Sequence, residues 1–396
     1  MNALPAPAAR LARFGMNPFA AIGQRITELA ALGKDIIRVD MGSPDLPPPE
    51  PVIEMLARSA QDPTHHGYAP YRGEPAFRKA VAAYYARRFG ATLDPLTEVL
   101  PLIGSKEGIV NLAEAYLDRG DAALIPDIAY PSYAAGTLMV GAEPIFFPIR
   151  HANGYLPDFN ELARLPDLAR AKLLWINYPN NPTGAVTDLA FYERAVAFAR
   201  EHNLLLCSDN PYVDVCFDSY RAPSVMQVPG AKECSVEFMS LSKSHNMAGW
   251  RIAACVGNRE ALNHLLHIKS TLDSASFRPI YDAATVALDQ TPQSWIDARN
   301  QRYQERRDRI LAALPQIGLE AEPPRGSLYI WARITNGMTD REYTTAALEK
   351  ASVSITPGTT YGGEGIHYVR FSLGISETRL DEALDRLRAW HRDNGL

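Results

Sequence analysis

Short apolar runs alternate with longer amphipathic segments along most of the chain. Seven runs of strand length occupy residues 99–104, 122–126, 144–148, 173–178, 204–209, 236–241 and 252–257. Between the runs, apolar residues recur at the spacing of a helix, as in the stripe that contains Ile109, Leu112 and Tyr116. This alternation predicts an α/β fold in which helices flank a mainly parallel sheet on both faces.

The pattern changes after about residue 285. A long charged helix is predicted at 294–314, and apolar runs follow at 327–334 and 368–373. An amphipathic helix is predicted at 377–392. The later part of the chain therefore has the texture of a separate α+β unit.

The length of the chain favours two or three structural units, since 396 residues exceed what one small core holds. We expect a large domain at 49–285 and a smaller α+β domain at 286–396. We expect the N-terminal segment, residues 1–48, to pack with the small domain.

Composition excludes several classes of function. A formal net charge of −5, with no block of lysine or arginine, gives no basis for nucleic-acid binding. No apolar run approaches the roughly 20 residues of a membrane-spanning helix. Residues 1–15 lack the apolar core of a secretory signal, so we expect a cytoplasmic protein. The four cysteines form no CxxC pair, and we expect reduced thiols and no metal site.

The densest chemical signal is the segment 240–251. Lys243 directly follows a predicted strand and lies among hydroxyl and small side chains. A lysine withdrawn from water has a lowered pKa and attacks carbonyl carbons. Ser240 and Arg251 offer a hydroxyl and a planar guanidinium, which suit a phosphate group. A structural lysine–carboxylate pair would account for Lys243 equally well if that residue stood alone.

Two further strand ends carry polar residues. Asn181 lies in the segment 177–184, where two prolines and a glycine predict a rigid turn that holds its amide toward a site. Asp209 ends a buried strand, where an acid needs a partner such as a pyridinium N–H. Tyr212 could donate its phenol to an oxygen of the same ring. A plain turn at 177–184 and a helix-capping role for Asp209 are the alternatives.

The turn Gly104-Ser105-Lys106 joins a strand to an amphipathic helix, where backbone N–H groups and the helix dipole favour an anion. Tyr130 follows the run at 122–126 and offers an aromatic face, although aromatic residues at such positions are common in cores. All these signals fit one aromatic ring that carries a phosphate.

Together the motifs resemble those of the class I and II aminotransferases, which are pyridoxal-phosphate enzymes of fold type I. The resemblance rests on Asn-Pro-Thr-Gly at 181–184 and on Ser-x-Ser-Lys-x5-Gly-Trp-Arg at 240–251. It extends from Gly42 through Tyr68 to Arg370. It implies a fold-type I transferase whose large domain binds pyridoxal 5′-phosphate.

The resemblance also implies a role for each motif residue. Lys243 would carry the cofactor, Asp209 would bind the pyridine nitrogen, and Tyr212 would donate to the ring oxygen. The other implied cofactor contacts are Gly104, Ser105, Lys106, Tyr130, Asn181, Ser240 and Arg251. The implied substrate contacts are Gly42, Asn181 and Arg370, the last of which would grip the α-carboxylate. Tyr68 would reach the site of the partner subunit, which implies a homodimer with shared active sites.

The implied activity is ping-pong transfer of an amino group between an L-amino acid and a 2-oxo acid. Segments 103–108 and 240–251 resemble the bacterial LL-diaminopimelate aminotransferase branch, in which alanine, aspartate and aromatic amino acids are other donors. No second arginine can be assigned to a distal carboxylate. A β-lyase or an amino-acid oxidase would use the same lysine, aspartate and tyrosine. An effector-binding regulator is a further alternative, but it needs a DNA-binding module, and about 35 residues before the first similar segment leave no room for one.

Overall fold

The computed structural model describes residues 5–13 and 18–394. Parts of the predicted N-terminal segment, at 1–4 and 14–17, lie outside the described residues. The last two residues of the predicted small domain, 395–396, lie outside them as well.

The described residues form thirteen strands. In chain order they are β1 (Ile37–Arg38), β2 (Val99–Leu102), β3 (Ala122–Pro126), β4 (Glu143–Phe147), β5 (Ala171–Ile176), β6 (Leu205–Asp209), β7 (Ser235–Ser240), β8 (Ala253–Gly257), β9 (Leu319–Glu320), β10 (Tyr329–Ile334), β11 (Val353–Ser354), β12 (Thr356–Pro357) and β13 (Tyr368–Ser372). Each of the seven apolar runs predicted between residues 99 and 257 overlaps one of the strands β2 to β8.

The same residues form thirteen α-helices. They are α1 (Pro18–Ala31), α2 (Glu50–Ala60), α3 (Pro75–Phe89), α4 (Ser105–Tyr116), α5 (Ser132–Met139), α6 (Phe159–Leu162), α7 (Leu189–Glu201), α8 (Leu241–Ser244), α9 (Arg259–Leu272), α10 (Arg278–Gln290), α11 (Gln293–Ala313), α12 (Asp340–Ala351) and α13 (Glu377–Asp393). No helix in the described part of the chain combines the length and apolarity needed to cross a membrane.

Seven strands form one large sheet in the order β2–β8–β7–β6–β5–β3–β4. All neighbouring pairs are parallel except the two that involve β8, which runs antiparallel to β2 and to β7. Strands β3, β7 and β8 are buried along their whole length, as expected of a sheet covered on both faces. The predicted α/β fold with a mainly parallel sheet is confirmed. The reversed direction of β8 could not be inferred from an apolar run, because a run has no polarity.

A smaller antiparallel sheet has the order β12–β13–β10–β9. Strand β1 pairs in parallel with β11, so Ile37 lies opposite Val353. Apolar side chains from these strands and from α11, α12 and α13 form a second core, which includes Tyr303, Tyr343 and Leu387. The later part of the chain is thus an α+β layer, and residues 37–38 of the N-terminal segment pack with it.

Side chains at their N-termini fix where several helices begin. Asp188 accepts a hydrogen bond from the backbone N–H of Phe191 (2.8 Å) at the start of α7. Thr339 and Glu342 form a reciprocal capping box at the start of α12. Helix α4 differs, because its N-cap residue is Gly104, which supplies no side-chain hydrogen bond. An anion can therefore approach the first turn of α4 without displacing a capping side chain.

A substitution at Leu174 tests the packing of the large sheet. Its side chain is fully buried on β5 within the main core. We expect Leu174→Ala to lower the free energy of unfolding by about 2–5 kcal/mol, since the lost methyl groups leave a cavity. Lys172→Ala on the same strand is the control, because the Lys172 side chain is 49% exposed, and we expect it to cost less than about 1 kcal/mol. Urea unfolding measures both variants, and equal losses would contradict this packing.

Candidate active site

The predicted site residues meet at one edge of the large sheet. The carboxyl ends of the six parallel strands share this edge, where ligands bind in open α/β sheets. The residues are Ser105 after β2, Tyr130 after β3, Asn181 after β5, Asp209 at the end of β6 and Lys243 after β7. Arg251 precedes β8, and because β8 runs in the opposite direction, its start returns Arg251 to the same edge.

A cleft of about 380 Å³ opens at this edge, between the large sheet and the smaller α+β layer. The structure brings eleven of the predicted residues into its lining: Gly42, Ser105, Lys106, Tyr130, Asn181, Asp209, Tyr212, Ser240, Lys243, Arg251 and Arg370. They come from segments more than 300 residues apart in sequence, from Gly42 to Arg370.

The two other predicted residues lie elsewhere. Gly104 is buried directly behind the cleft, with a φ of +80°, and a Cβ added there would collide with the guanidinium of Arg251. Tyr68 is 93% exposed and is not part of the cleft lining found among the described residues of its own chain. The cleft of one chain therefore contains no contribution from its own Tyr68.

Lys243 is partly buried at the centre of the cleft. Its Nζ donates a short hydrogen bond to the backbone carbonyl of Gly42, which belongs to the N-terminal segment. Burial lowers the pKa of Lys243, and the positive charges of Arg370 and Arg251 lower it further, while Tyr329 opposes the shift. A lowered pKa increases the fraction of neutral amine at a given pH, which is the form that attacks carbonyl carbons and accepts protons.

The backbone around Lys243 is held by the buried guanidinium of Arg299. One nitrogen of that side chain donates to the carbonyl of Lys243 (3.2 Å) and, through a shorter bond, to the carbonyl of Ser244. Its other terminal nitrogen donates to the carbonyl of Asp214 at 2.5 Å. Arg299 thus links the short helix α8 to the loop that carries Tyr212, and α11 supplies this link from the smaller layer.

Asp209 is buried and only half satisfied. Its Oδ2 accepts a hydrogen bond from the hydroxyl of Tyr133 (2.6 Å), whereas its Oδ1 has no hydrogen-bond partner in the described structure. The ring of Tyr133 stacks on Trp175 at 4.7 Å between centroids. Burial raises the pKa of Asp209 to about 7, and the bond from Tyr133 offsets part of the rise. A buried carboxylate oxygen without a partner suits a ligand that brings an N–H donor.

Tyr212 belongs to a chain of aromatic and charged groups that ends at Arg370. The hydroxyls of Tyr212 and Tyr329 are 2.9 Å apart, and the Arg370 guanidinium lies 3.9 Å from the centroid of the Tyr329 ring. Burial by itself would raise the pKa of Tyr329, but the positive charges of Arg370 and Lys243 outweigh it and lower that pKa. Tyr329 therefore connects Lys243, Tyr212 and Arg370 electrostatically.

Arg370 is almost fully buried, yet it faces the cleft. Its Nη1 donates to Oδ1 of Asn181 at 2.9 Å, and its Nη2 donates to the backbone carbonyl of Asp40 at 2.9 Å. Asn181 is itself held by Asn177, whose side-chain oxygen accepts from the Asn181 N–H at 2.8 Å. The guanidinium is thus fixed in a plane, which suits bidentate binding of a carboxylate.

Sequence reasoning missed several residues of the cleft. Arg38 and Asp40 line it from the N-terminal segment, and Tyr329 lines it from β10. Tyr133 supports it through Asp209. Period-two alternation around Ile37 and Val39 could have placed Arg38 and Asp40 opposite a core face, but no local signal tells which cleft that face would line.

The raised pKa of Asp209 makes stability depend on pH in the ligand-free protein. The carboxyl titrates near 3.8 when unfolded and near 7 when folded. Between these values the unfolded chain has lost the proton that the folded chain keeps, so this group lowers the free energy of unfolding as pH rises, by about 1.4 kcal/mol per unit. We expect Asp209→Asn to remove that slope in urea unfolding from pH 4 to 7.

Asp167→Asn is the matched control for this prediction, since it removes a carboxylate whose side chain is 53% exposed. We expect this variant to follow the wild-type pH profile. An Asp209→Asn profile as steep as that of the wild type would contradict the raised pKa.

Several known proteins are similar to this chain in sequence and in overall structure. An LL-diaminopimelate aminotransferase of Dehalococcoides mccartyi is 46% identical over 369 residues, which cover 93% of this chain and 95% of the relative. The apo structure of BacF from Bacillus subtilis is 36% identical, with a TM-score of 0.93 over 98% of both chains. An aspartate aminotransferase of Thermus thermophilus with maleate is 28% identical, with a TM-score of 0.89 over 98% of this chain and 100% of the other.

The sequence profile named aminotransferase class I and II matches residues 34–387. The predicted family, the fold-type I architecture, the aminotransferase class of activity and the pyridoxal-phosphate cofactor are confirmed by these matches. This chain belongs to the class I and II aminotransferases and is a pyridoxal-phosphate-dependent transaminase.

Proposed function

We propose that this aminotransferase takes LL-diaminopimelate as its amino donor and transfers the amino group to a 2-oxo acid in the cleft around Lys243. The observation that carries the donor is the similarity of this chain to several bacterial LL-diaminopimelate aminotransferases, at 41–46% identity. Alanine, aspartate and aromatic amino acids are the competing donors. The transfer requires a cleft that holds the cofactor, fixes the donor and moves a proton, and these three tasks fall to different residues.

The residues of the cleft fit pyridoxal phosphate in two respects. The unpartnered Oδ1 of Asp209 lacks the N–H donor that a protonated pyridine ring brings. Gly104, at the start of α4, leaves room for the Arg251 guanidinium, where a Cβ would collide with it. The backbone N–H groups of the first turn and the positive charge of Arg251 together form a site for an anion. When bound, the cofactor supplies an electron sink beside the amino group of the substrate.

We assign the cofactor contacts accordingly. Asp209 holds the ring nitrogen, and the Tyr133 bond keeps the Asp209 carboxylate oriented. The hydroxyl of Tyr212 and the amide of Asn181 serve the ring oxygen, and Tyr130 packs on the ring face. The proposed phosphate contacts are the backbone of Gly104, Ser105 and Lys106 with the side chains of Ser240 and Arg251.

Arg370 fixes the donor by its α-carboxylate. Its guanidinium is held by Asn181 on one side and by the Asp40 carbonyl on the other, so it binds the carboxylate without first losing rotamer freedom. Gly42 lies beside this position, and a Cβ there would collide with the Tyr329 hydroxyl at 2.5 Å. A side chain at position 42 would therefore displace Tyr329 and change the shape of the cleft at its substrate end.

Lys243 moves the proton. Its neutral amine takes the proton from Cα of the amino donor, and the same amine returns a proton to Cα of the 2-oxo acid in the second half of the cycle. Burial and the neighbouring cations favour the neutral amine at moderate pH. The Gly42 carbonyl is a hydrogen-bond acceptor within reach of Nζ, so it keeps the amine directed into the cleft.

The N-terminal segment 1–48, the large domain 49–285 and the small domain 286–396 remain a proposed division. It is supported by the pairing of β1 with β11 and by the separate core around α11, α12 and α13. Under this division Arg370 belongs to the small domain, while Lys243 and Asp209 belong to the large one. The predicted cytoplasmic location stays a prediction.

A donor panel tests the proposed reaction. The holoenzyme is mixed with LL-diaminopimelate, alanine, aspartate, glutamate or an aromatic amino acid, and the absorbance of the cofactor is followed. We expect stoichiometric pyridoxamine phosphate, formed most efficiently with LL-diaminopimelate. Lys243→Ala should slow this conversion on the order of 10³-fold or more, because the proton acceptor at Cα is lost. Lys172→Ala is the control and should react as the wild type does.

Other results of the same panel point elsewhere. Release of ammonia with no pyridoxamine phosphate would replace transamination by a β-lyase or oxidase reaction. Fastest conversion of alanine, aspartate or an aromatic donor would overturn LL-diaminopimelate while leaving transamination in place. An unchanged rate in Lys243→Ala would remove that residue from the proton transfer.

We also propose a homodimer in which Tyr68 completes the site of the partner subunit. Tyr68 is 93% exposed in the single chain. Ile53 and Tyr71, which are near it in sequence, are exposed too, as are Leu272 at the end of α9 and Phe277 in the loop that follows. Aromatic side chains are enriched at protein–protein interfaces, so the exposed Tyr68 fits a position that a second chain covers. The resemblance to the family gives Tyr68 its role at the neighbouring phosphate.

Complementation between two inactive variants tests the shared site. Tyr68→Ala and Lys243→Ala chains are unfolded together and refolded at equal amounts. In a mixed dimer one site carries both changes and the other carries neither, so we expect about a quarter of all sites to regain wild-type activity. Each variant refolded alone is the control. Absence of any regained activity, with mixed dimers shown by native mass spectrometry, would contradict a shared site.

A further inference from the structure

Two charged side chains of the N-terminal segment face the cleft beside Arg370. Ile37 and Val39 are buried in the core of the smaller layer, and successive side chains of an extended segment point to opposite faces. Arg38 and Asp40 therefore project away from that core, and both line the cleft. The extended path is fixed by the backbone, since the Val39 N–H donates to the Ser354 carbonyl at 3.0 Å.

The two side chains form a planar, bidentate ion pair. Arg38 Nε lies 2.6 Å from Asp40 Oδ1, and Arg38 Nη2 lies 2.7 Å from Asp40 Oδ2. The Asp40 side chain is 3% exposed and the Arg38 side chain is 35% exposed. The pair thus runs from the wall of the cleft toward its mouth and has no net charge.

The Arg38–Asp40 ion pair lies next to Arg370, the residue proposed to bind the α-carboxylate. The backbone carbonyl of Asp40 accepts a hydrogen bond from Arg370 Nη2 at 2.9 Å, so Asp40 is in direct contact with the Arg370 guanidinium. The charges met along the cleft wall are then the buried Arg370, the buried Asp40 and the half-exposed Arg38. All three side chains line the same cleft.

We propose that Arg38 and Asp40 form a distal subsite for amino donors whose far end carries both an ammonium and a carboxylate. Asp40 binds the ammonium, Arg38 binds the carboxylate, and the two residues exchange their mutual ion pair for these contacts. This inference rests on the proposed function and deepens it, since it states which feature of the donor is recognised.

Charge complementarity explains why this far end is preferred. A lone distal carboxylate gains Arg38 but meets the negative charge of Asp40, whereas a lone distal ammonium gains Asp40 but meets Arg38. An apolar side chain leaves the Arg38–Asp40 pair intact and gains nothing from it. A zwitterionic end satisfies both residues and leaves no charge unpaired in the cleft.

Four donors separate the contributions of the two groups. LL-diaminopimelate carries both distal groups, L-lysine lacks the distal carboxylate, L-2-aminopimelate lacks the distal ammonium, and L-alanine lacks the whole distal end. The half-reaction of the holoenzyme with each donor is followed by rapid-mixing absorbance, which yields a rate constant and an apparent dissociation constant. The variants are Arg38→Met, Arg38→Lys and Asp40→Asn.

Each variant should lose discrimination for its own group. We expect Arg38→Met to lower the preference for LL-diaminopimelate over L-lysine by roughly 30-fold, and Asp40→Asn to lower the preference for LL-diaminopimelate over L-2-aminopimelate by a similar factor. The losses should appear in the apparent dissociation constant, since the distal end does not react. Arg38→Lys should recover part of the loss because it keeps the positive charge.

Pimelate provides a readout that does not depend on turnover. It carries two carboxylates and no amino group, so it occupies Arg370 and the distal subsite without reacting. We expect Arg38→Met to weaken pimelate binding and Asp40→Asn to strengthen it, measured by titration of the cofactor absorbance. A general loss of folding would shift both variants in the same direction. The control is Arg150→Met, which breaks an exposed bidentate pair with Glu161 outside the cleft.

The outcomes separate the subsite from the donor. Equal losses with all four donors, and weaker pimelate binding in both variants, would overturn the subsite and make the pair a brace for the Asp40 carbonyl that holds Arg370. A wild-type enzyme that prefers LL-diaminopimelate, with that preference unchanged in the variants, would also overturn the subsite but not the donor. A wild-type enzyme that converts alanine and not LL-diaminopimelate would overturn the proposed donor and the subsite together.

Discussion

The direction of the strands in the large sheet is the constraint on which the rest of the structure depends. Six strands point the same way, so the loops that follow them meet at one edge and bring together residues far apart in sequence. Strand β8 alone is reversed, and that reversal allows the segment after Lys243 to fold back with Arg251 at the same edge. A parallel β8 would have placed Arg251 at the opposite edge of the sheet.

Burial of charged groups is the cost of that convergence, and the neighbours of each group determine its state. Among the described residues, one oxygen of Asp209 is hydrogen-bonded and the other has no partner, so the carboxyl can accept a hydrogen bond from a bound group. Burial and the nearby positive charges of Arg370 and Arg251 favour the neutral amine of Lys243, and the Gly42 carbonyl orients it. Arg370 is held in place by the side-chain oxygen of Asn181 and the backbone carbonyl of Asp40. Each group is thereby suited to a partner of defined chemistry, an N–H donor for Asp209 and a carboxylate for Arg370.

The N-terminal segment and the smaller layer complete the cleft through backbone atoms as much as through side chains. The carbonyls of Asp40 and Gly42 orient Arg370 and Lys243. Arg299 on α11 holds the carbonyls of Lys243 and Ser244 and links them to the Asp214 carbonyl. Backbone contacts of this kind depend on where a segment runs and hardly at all on which side chain it carries. Lys243 is therefore positioned by residues on both sides of the cleft.

The sequence by itself determined the alternating α/β architecture, because apolar periodicity reports local structure directly. It also predicted eleven of the cleft residues: nine carry local chemical signals at strand ends and in the motifs, whereas Gly42 and Arg370 followed from the resemblance to the family. Only the tertiary structure decided that β8 is reversed, that Tyr133 supports Asp209, and that Tyr329, Arg38 and Asp40 line the cleft. The reason is physical: those positions acquire a role from contacts between segments separated by tens to hundreds of residues, and no local pattern encodes which segments will meet.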